Sequence, residues 1–189
     1  HTAYSLCLQR GYQVAALSVV YPVARGTGPL LSSIGALLIL GERPGLRGIA
    51  GMLSVVAGIA CISVQGRWTL FQQSSARRGV AWGGATGALI ASYTVVDAIS
   101  VKLIGLHPVV LDCGSNLVRF FTLLPWMARN ARGAVSAMRG HWGKALAVGA
   151  LSPMSYILVL AALRDGAPLS LVAPAREMSM MAAAVLGMV

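Results

Sequence analysis

The chain has 189 residues, of which 57% are hydrophobic and 11% are charged, and its mean hydropathy is +0.74. Soluble globular domains carry about 25% charged residues, so this composition argues against a soluble domain and predicts a protein that lies in a lipid bilayer. The formal charge is +10, but most basic residues lie in connectors and the aromatic residues lie mostly within the apolar runs, which argues against nucleic acid as a partner.

Apolar runs separated by short polar connectors predict an all-α chain of about seven membrane spans. A span is predicted to end at residues 1–9 and to be followed by a turn at residues 10–13. The later runs cover residues 14–40, 46–65, 79–105, 109–128, 145–163 and 168–189. Nine residues cannot cross about 30 Å of hydrocarbon as a helix, and the chain begins with His1. We therefore expect a fragment that is cut at both ends.

One stretch occurs twice, as residues 17–25 and, altered, as residues 169–176. Both copies open an apolar run and carry a proline and an arginine. Interior prolines free backbone carbonyls, so Pro22, Pro29 and Pro174 predict bends that serve either as simple kinks or as gating hinges. Five crossings separate the two copies, so the two helices are predicted to run in opposite directions, as in transporters with inverted repeats.

These residues resemble the EamA-type permeases of the drug/metabolite transporter superfamily. The first signature reads as residues 16–25, then Pro29, then residues 40–44; the second reads as residues 173–179. The resemblance implies a ten-helix polytopic membrane protein built from an inverted repeat of five-helix bundles. It divides the chain into 1–66 (helices 3 to 5), an inter-repeat loop at 67–78, and 79–189 (helices 6 to 9). A Gly-Glu pair is then expected near positions 192 and 193.

The resemblance also implies a function. Such permeases are secondary transporters that move small metabolites or drugs across the plasma (inner) membrane by alternating access, here in the direction of efflux. The expected partners are the bilayer, a small-molecule substrate, and a proton or counter-metabolite, with no cofactor and no metal. The alternatives are a polytopic membrane enzyme acting on a lipid-linked substrate and a non-transporting membrane scaffold. The sequence has no HExxH, GxSxG or P-loop, so we expect no enzyme.

Polar side chains within the predicted spans are the candidates for a substrate cavity, because a charge in a span is costly and usually faces a cavity or a partner. They are Tyr4, Tyr21, Arg25, Tyr93, Asp97, Asn116, Arg119, Tyr156, Arg176 and Glu177. Two interpretations of the arginines stay open. Arg25 and Arg176 either contact an anionic or polar group of the substrate or form structural pairs, for example with Glu177.

The acids and tyrosines have similar alternatives. Glu177 is either a proton carrier or a packing acid. Asp97 shares a helix face with Tyr93 and either serves proton or cation coupling or pairs with Lys102 or Arg119. The tyrosines either line the cavity or anchor the helices at the membrane interface.

Three further predictions concern packing. Ser179 is expected to bond between helices, and Glu42 with Arg43 is expected to be an ordinary surface or helix-end pair. Gly79, Gly83 and Gly87 form a double GxxxG pattern, which predicts close helix packing. The membrane orientation stays open. One set of alternate loops carries eight Lys and Arg and the other carries four, which favours a cytoplasmic location for the first set. The family topology instead places that set outside.

Overall fold

The computed structural model describes residues 2–64, 74–129 and 131–186, and all regular elements in these ranges are α-helices. The helices are α1 (Thr2–Val14), α2 (Leu17–Ile39), α3 (Leu46–Val64), α4 (Ser74–Lys102), α5 (Pro108–Arg129), α6 (Ala131–Met138), α7 (Trp142–Arg164) and α8 (Leu169–Leu186). The all-α prediction is therefore confirmed. The seven longer helices follow the predicted runs in order, and the short helix α6 lies in the connector between the runs at 109–128 and 145–163.

Four predicted segments fall partly outside the described ranges, and for the runs at 1–9 and 46–65 this concerns one residue at an end. The inter-repeat loop at 67–78 is described only from residue 74, where it already forms the first turn of α4. The last three residues of the final predicted span lie outside the described residues as well. Within the described residues, the predicted and observed helix ends differ by no more than about five residues.

The predicted turn at residues 10–13 is wrong. Helix α1 continues through these residues to Val14, and within it Arg10 Nη1 donates a hydrogen bond to Gln13 Oε1 at 2.9 Å. The helical conformation is interrupted at residues 15–16. The glycine that suggested a turn has another use. A Cβ on Gly11 would lie 2.7 Å from Val20 Cγ1, so the glycine lets α1 approach α2.

Within the described ranges, two helical segments are long and apolar enough to cross a membrane, Ala76–Lys102 within α4 and Trp142–Arg164. They differ in their surroundings: half of the most apolar window in α4 is buried inside the chain, against 11% of that in α7. An apolar helix with most of its surface outside the chain needs an apolar environment. These helices are therefore compatible with membrane association.

The glycine stripe on α4 packs against α2, as the GxxxG pattern predicted. A Cβ on Gly79 would lie 2.7 Å from Ala15 Cβ, and one on Gly83 would lie 2.9 Å from the Val20 carbonyl oxygen. At Gly87 an added Cβ would overlap Thr27. Since each glycine faces backbone or the base of a side chain, the two helices lie at close backbone contact along three turns.

Helices α2 and α8 run antiparallel. Near the start of α2, Arg25 pairs with Glu177 in α8. Just after the end of α2, the carboxylate of Glu42 accepts a hydrogen bond from the N–H of Leu169, the first residue of α8. Residue numbers rise along α2 while those of its partners fall along α8, which agrees with the prediction from the number of crossings.

A buried apolar cluster, here called the apolar core, joins α2, α4, α7 and α8. Its members are Ala36, Val95, Ala98, Val101, Leu160, Leu163, Leu169 and Ala173. On each helix these residues lie toward the same end of the bundle, the end that holds the C-terminus of α2 and the N-terminus of α8. Toward the start of α2, at the other end, further apolar residues such as Val19, Val20 and Ala24 are also buried.

Candidate functional site

A cavity of about 330 Å³ lies between α1, α2, α4, α5, α7 and α8. Eight of the ten side chains predicted for a substrate site line it: Tyr4, Tyr21, Arg25, Tyr93, Asn116, Arg119, Tyr156 and Arg176. The other two, Asp97 and Glu177, lie just behind its wall, where they bond to lining residues. The structure therefore brings together side chains that are up to 172 positions apart in the sequence.

The arginines of the two repeated stretches share one carboxylate. Arg25 Nη1 lies 3.1 and 3.2 Å from the two oxygens of Glu177, and Arg176 Nε lies 3.4 Å from Oε1. The Glu177 side chain is 1% exposed, whereas the side chains of Arg25 and Arg176 are 36% and 15% exposed. The structural pairing considered from the sequence is therefore present, and both guanidinium groups still face the cavity.

A single carboxylate cannot neutralise two guanidinium groups, so this part of the wall keeps an excess positive charge. The Arg25 guanidinium also lies over the ring of Tyr21, 5.4 Å from its centroid. The ring and the carboxylate together fix the orientation of the guanidinium group. Fixed guanidinium groups that face a cavity favour carboxylate, phosphate or sulfonate groups on a ligand.

Three tyrosine rings from three helices form another part of the wall. The ring of Tyr93 lies 5.3 Å from that of Tyr4 and 6.5 Å from that of Tyr156, centroid to centroid. Behind them, Tyr156 Oη donates a hydrogen bond to Asp97 Oδ2 at 2.5 Å. The rings thus offer apolar faces, and Asp97 holds one of them in place.

The two basic partners considered for Asp97 are engaged elsewhere. Lys102 Nζ lies 2.7 Å from Glu42 Oε1, and Arg119 Nη2 donates to Ser5 Oγ at 3.3 Å. A tyrosine hydroxyl was not considered from the sequence, because Tyr156 is 59 residues from Asp97.

Helix α5 contributes a polar face that sequence reasoning found only in part. Asp112, Ser115, Asn116 and Arg119 line the cavity at the i, i+3, i+4 and i+7 positions of the helix. Asn116 and Arg119 were predicted, but Asp112, which accepts a hydrogen bond from Asn116 Nδ2 at 2.9 Å, was missed. The available signal was the Asp-Asn pair four residues apart on an apolar helix.

Several other lining residues were missed as well. They are Leu8, Ala24, Ile90, Ser115, Ser152, Pro153, Ser155 and Ser179. The sequence reasoning considered Ser179 but expected a bond between helices. That expectation is wrong, because Ser179 Oγ donates to the Arg176 carbonyl of its own helix at 2.9 Å.

The prolines lie inside helices that continue past them. Pro22 and Pro29 are interior to α2, Pro174 is interior to α8, and Pro29 and Pro174 are buried. Pro174 has no N–H and therefore frees the carbonyl of Ser170. Ser33 Oγ of α2 donates to this carbonyl at 3.2 Å. A side chain of α2 thus satisfies the backbone carbonyl that Pro174 frees in α8.

For Glu42 the surface alternative is wrong, whereas the helix-end alternative agrees with its contacts at the start of α8. This carboxylate bonds to Lys102 and to two backbone N–H groups of α8, and its side chain is only 10% exposed. Arg43 is exposed, as expected.

The chemistry available at the cavity is that of binding. Charged, hydroxyl and aromatic groups surround a volume that suits a small polar molecule. Within the described parts of the chain, no three His, Cys, Asp or Glu side chains come together as metal ligands. Comparisons with protein-family models, with curated proteins and with solved structures find no match.

Proposed function

We propose that this chain is part of a multi-pass membrane transporter of the EamA type in the plasma (inner) membrane. It moves small polar or anionic metabolites by alternating access, in the direction of efflux. One observation carries the proposal: the arginines of the two repeated stretches, Arg25 and Arg176, both reach a cavity between antiparallel helices. Transporters with inverted repeats bind substrate at such a place, between corresponding interrupted helices of the two halves.

The wall of the cavity supports a substrate with a negatively charged or strongly polar group. Arg25 and Arg176 share Glu177 and keep an excess positive charge. The ring of Tyr93 lies 5.3 Å from that of Tyr4 and 6.5 Å from that of Tyr156, and the three rings suit the apolar part of such a molecule. We assign Arg25 and Arg176 to the anionic group and the tyrosine rings to the remainder.

The ten-helix inverted repeat belongs to the same proposal. Its supports are the antiparallel packing of α2 and α8 and the close α2–α4 contact along Gly79, Gly83 and Gly87. In this arrangement the bundle that ends near residue 66 and the bundle that begins near residue 79 rock against each other. Coupling to a proton or counter-metabolite would use the cavity acids.

The test is transport by the full-length protein in liposomes. The liposomes are loaded with a mixture of small carboxylates, phosphates, sulfonates, amines and neutral polar compounds, and released compounds are identified by mass spectrometry. We expect release of anionic or polar members, and a loss of at least ten-fold in Arg25→Ala and in Arg176→Ala.

Arg10→Ala is the matched control, because Arg10 is exposed and bonds to Gln13 on its own helix. Release that is unchanged in both cavity variants overturns the site assignment. Absence of release together with chemical turnover of a lipid-linked substrate favours the enzyme alternative, and absence of both favours the scaffold.

A further inference from the structure

A three-way polar contact closes one end of the bundle. Glu42 Oε1 accepts hydrogen bonds from Leu169 N and Lys102 Nζ, both at 2.7 Å, and Glu42 Oε2 accepts one from Ser170 N at 2.9 Å. These three groups come from the connector after α2, the end of α4 and the start of α8. We call this contact the Glu42 bridge.

Two physical effects make the carboxylate a good partner for α8. The first N–H groups of a helix have no acceptor within the helix, and the positive end of the helix dipole attracts an anion. Burial alone would raise the pKa of Glu42, but the hydrogen bonds from Lys102 and from the N–H groups of Ser170 and Leu169 outweigh it and lower the pKa below its usual value. The carboxylate therefore remains charged at neutral pH.

The bridge and the cavity lie at opposite ends of the apolar core. Along α2 the order is Arg25 at the cavity, Ala36 in the core and Glu42 in the bridge. The 14 residues from Arg25 to the end of α2 span about 20 Å of helix. Along α8 the order is reversed, from Arg176 at the cavity to Leu169 in both core and bridge.

Helices α4 and α7 repeat the same order. Along α4, Tyr93 lines the cavity, Val101 belongs to the core, and Lys102 reaches the bridge. Along α7, Tyr156 lines the cavity and Leu163 belongs to the core. On this side, all four helices therefore place an apolar layer directly beyond the cavity, and three of them meet at the polar bridge beyond that layer.

We propose that the Glu42 bridge is an inter-helix latch, which holds the core end of the cavity shut and opens when the cavity turns to that face of the membrane. The inference rests on the proposed function, since a latch has a role only where the cavity changes sides. A charged bridge suits a gate, because its hydrogen bonds can be exchanged for bonds to water at the membrane surface.

The experiment measures access to the core with a membrane-impermeant maleimide. Cys7, Cys61 and Cys113 are replaced by serine, and Ala173→Cys, a buried core position on α8, provides the single thiol. The full-length protein is labelled in vesicles of both orientations. In the latched protein we expect little labelling from either face. In Glu42→Gln we expect at least five-fold faster labelling from the face of the bridge.

Two further variants keep the result interpretable. Lys102→Gln keeps the hydrogen bonds between the Glu42 carboxylate and α8 but removes the contact with α4, so we expect labelling to rise about two-fold. Arg43→Gln is the matched control, because Arg43 is exposed and adjacent to Glu42, and it should label like the parent. The latch is overturned if labelling in Glu42→Gln and Lys102→Gln matches the parent, or if Arg43→Gln labels as fast as Glu42→Gln.

Failure of the latch is distinguishable from failure of the proposed function. Labelling needs no substrate, so unchanged access to Cys at position 173 in a protein that still releases metabolites overturns the latch alone. Absence of release from an otherwise folded protein overturns the transporter.

Discussion

The carbonyl freed by Pro174 allows a sharp test of the α2–α8 contact. Ser33 donates to the Ser170 carbonyl of α8 at 3.2 Å, whereas the neighbouring Ser32 donates to the Pro29 carbonyl of its own helix at 3.0 Å. Both serines are buried, at 0% and 1% exposure. Their replacement by alanine therefore removes the same chemical group from almost the same depth.

The two substitutions should differ in cost. In Ser33→Ala the carbonyl of Ser170 loses a donor that the helix cannot replace, which costs about 2 kcal/mol. In Ser32→Ala the carbonyl of Pro29 still accepts the N–H of Ser33 within α2, so the cost is about 0.5 kcal/mol. For a chain of this size about 1 kcal/mol corresponds to a shift of about 2–4 °C in melting temperature.

The assay is thermal unfolding of the purified protein in detergent. We expect Ser33→Ala to melt about 4–8 °C lower than the parent and Ser32→Ala to stay within about 2 °C. Pro174→Ala restores the missing N–H, so in that background the cost of Ser33→Ala should fall by about 1 kcal/mol. Equal costs for the two serines, or an equal cost of Ser33→Ala in both backgrounds, would refute the reasoning.

Three other predictions concern the charges and the glycine stripe. The pKa of Glu42 is lowered, so the stability that Glu42 contributes is complete above about pH 4.5 and is lost as the pH falls through its folded-state pKa. Over that pH range the melting temperature of Glu42→Gln should therefore fall less than that of the parent protein. An equal fall in both proteins would contradict this prediction. Glu177→Gln should cost about 3 kcal/mol by thermal melting, because it leaves two guanidinium groups without their shared carboxylate. Arg25→Gln should cost about 1 kcal/mol, since the Arg25 side chain is about one-third exposed. If Arg25→Gln and Glu177→Gln lowered the stability equally, the shared-carboxylate geometry would be contradicted. Gly83→Ala should lower stability by about 1–3 kcal/mol, whereas Gly84→Ala, with nothing within 4 Å, should raise it by up to about 1 kcal/mol; a similar shift in both would exclude close packing at Gly83.

The sequence predicted the helices well because its strongly apolar composition leaves few possible backbone conformations. Long apolar runs can satisfy their backbone only as helices in an apolar environment, and the connectors at residues 41–45 and 165–168 are marked by Gly, Pro and charges. The turn at residues 10–13 was wrong for a related reason. Glycine in an apolar protein often permits close packing, and Gly11 is used in that way.

Much of the candidate site was also predictable, since a polar side chain within a long apolar run is rare enough to be noticed singly. The partners of these side chains were not predictable, because they lie far away in the sequence. Glu42 meets Lys102 across 60 positions and Leu169 across 127 positions. No local pattern indicates which of five acids reaches which of fifteen bases. The packing of the helices decides it.

The glycine stripe of α4 also determines where the molecule can deform. Interlocked apolar surfaces at backbone contact resist sliding, because any displacement along Gly79, Gly83 and Gly87 drives atoms into overlap. Helices α2 and α4, which belong to different proposed bundles, should therefore keep their contact and act as the pivot about which the two bundles rock. The α2–α8 boundary, held by directional bonds at Arg25 and Glu42, can instead break and re-form contacts at modest cost, and it provides the natural shear plane of the bundle.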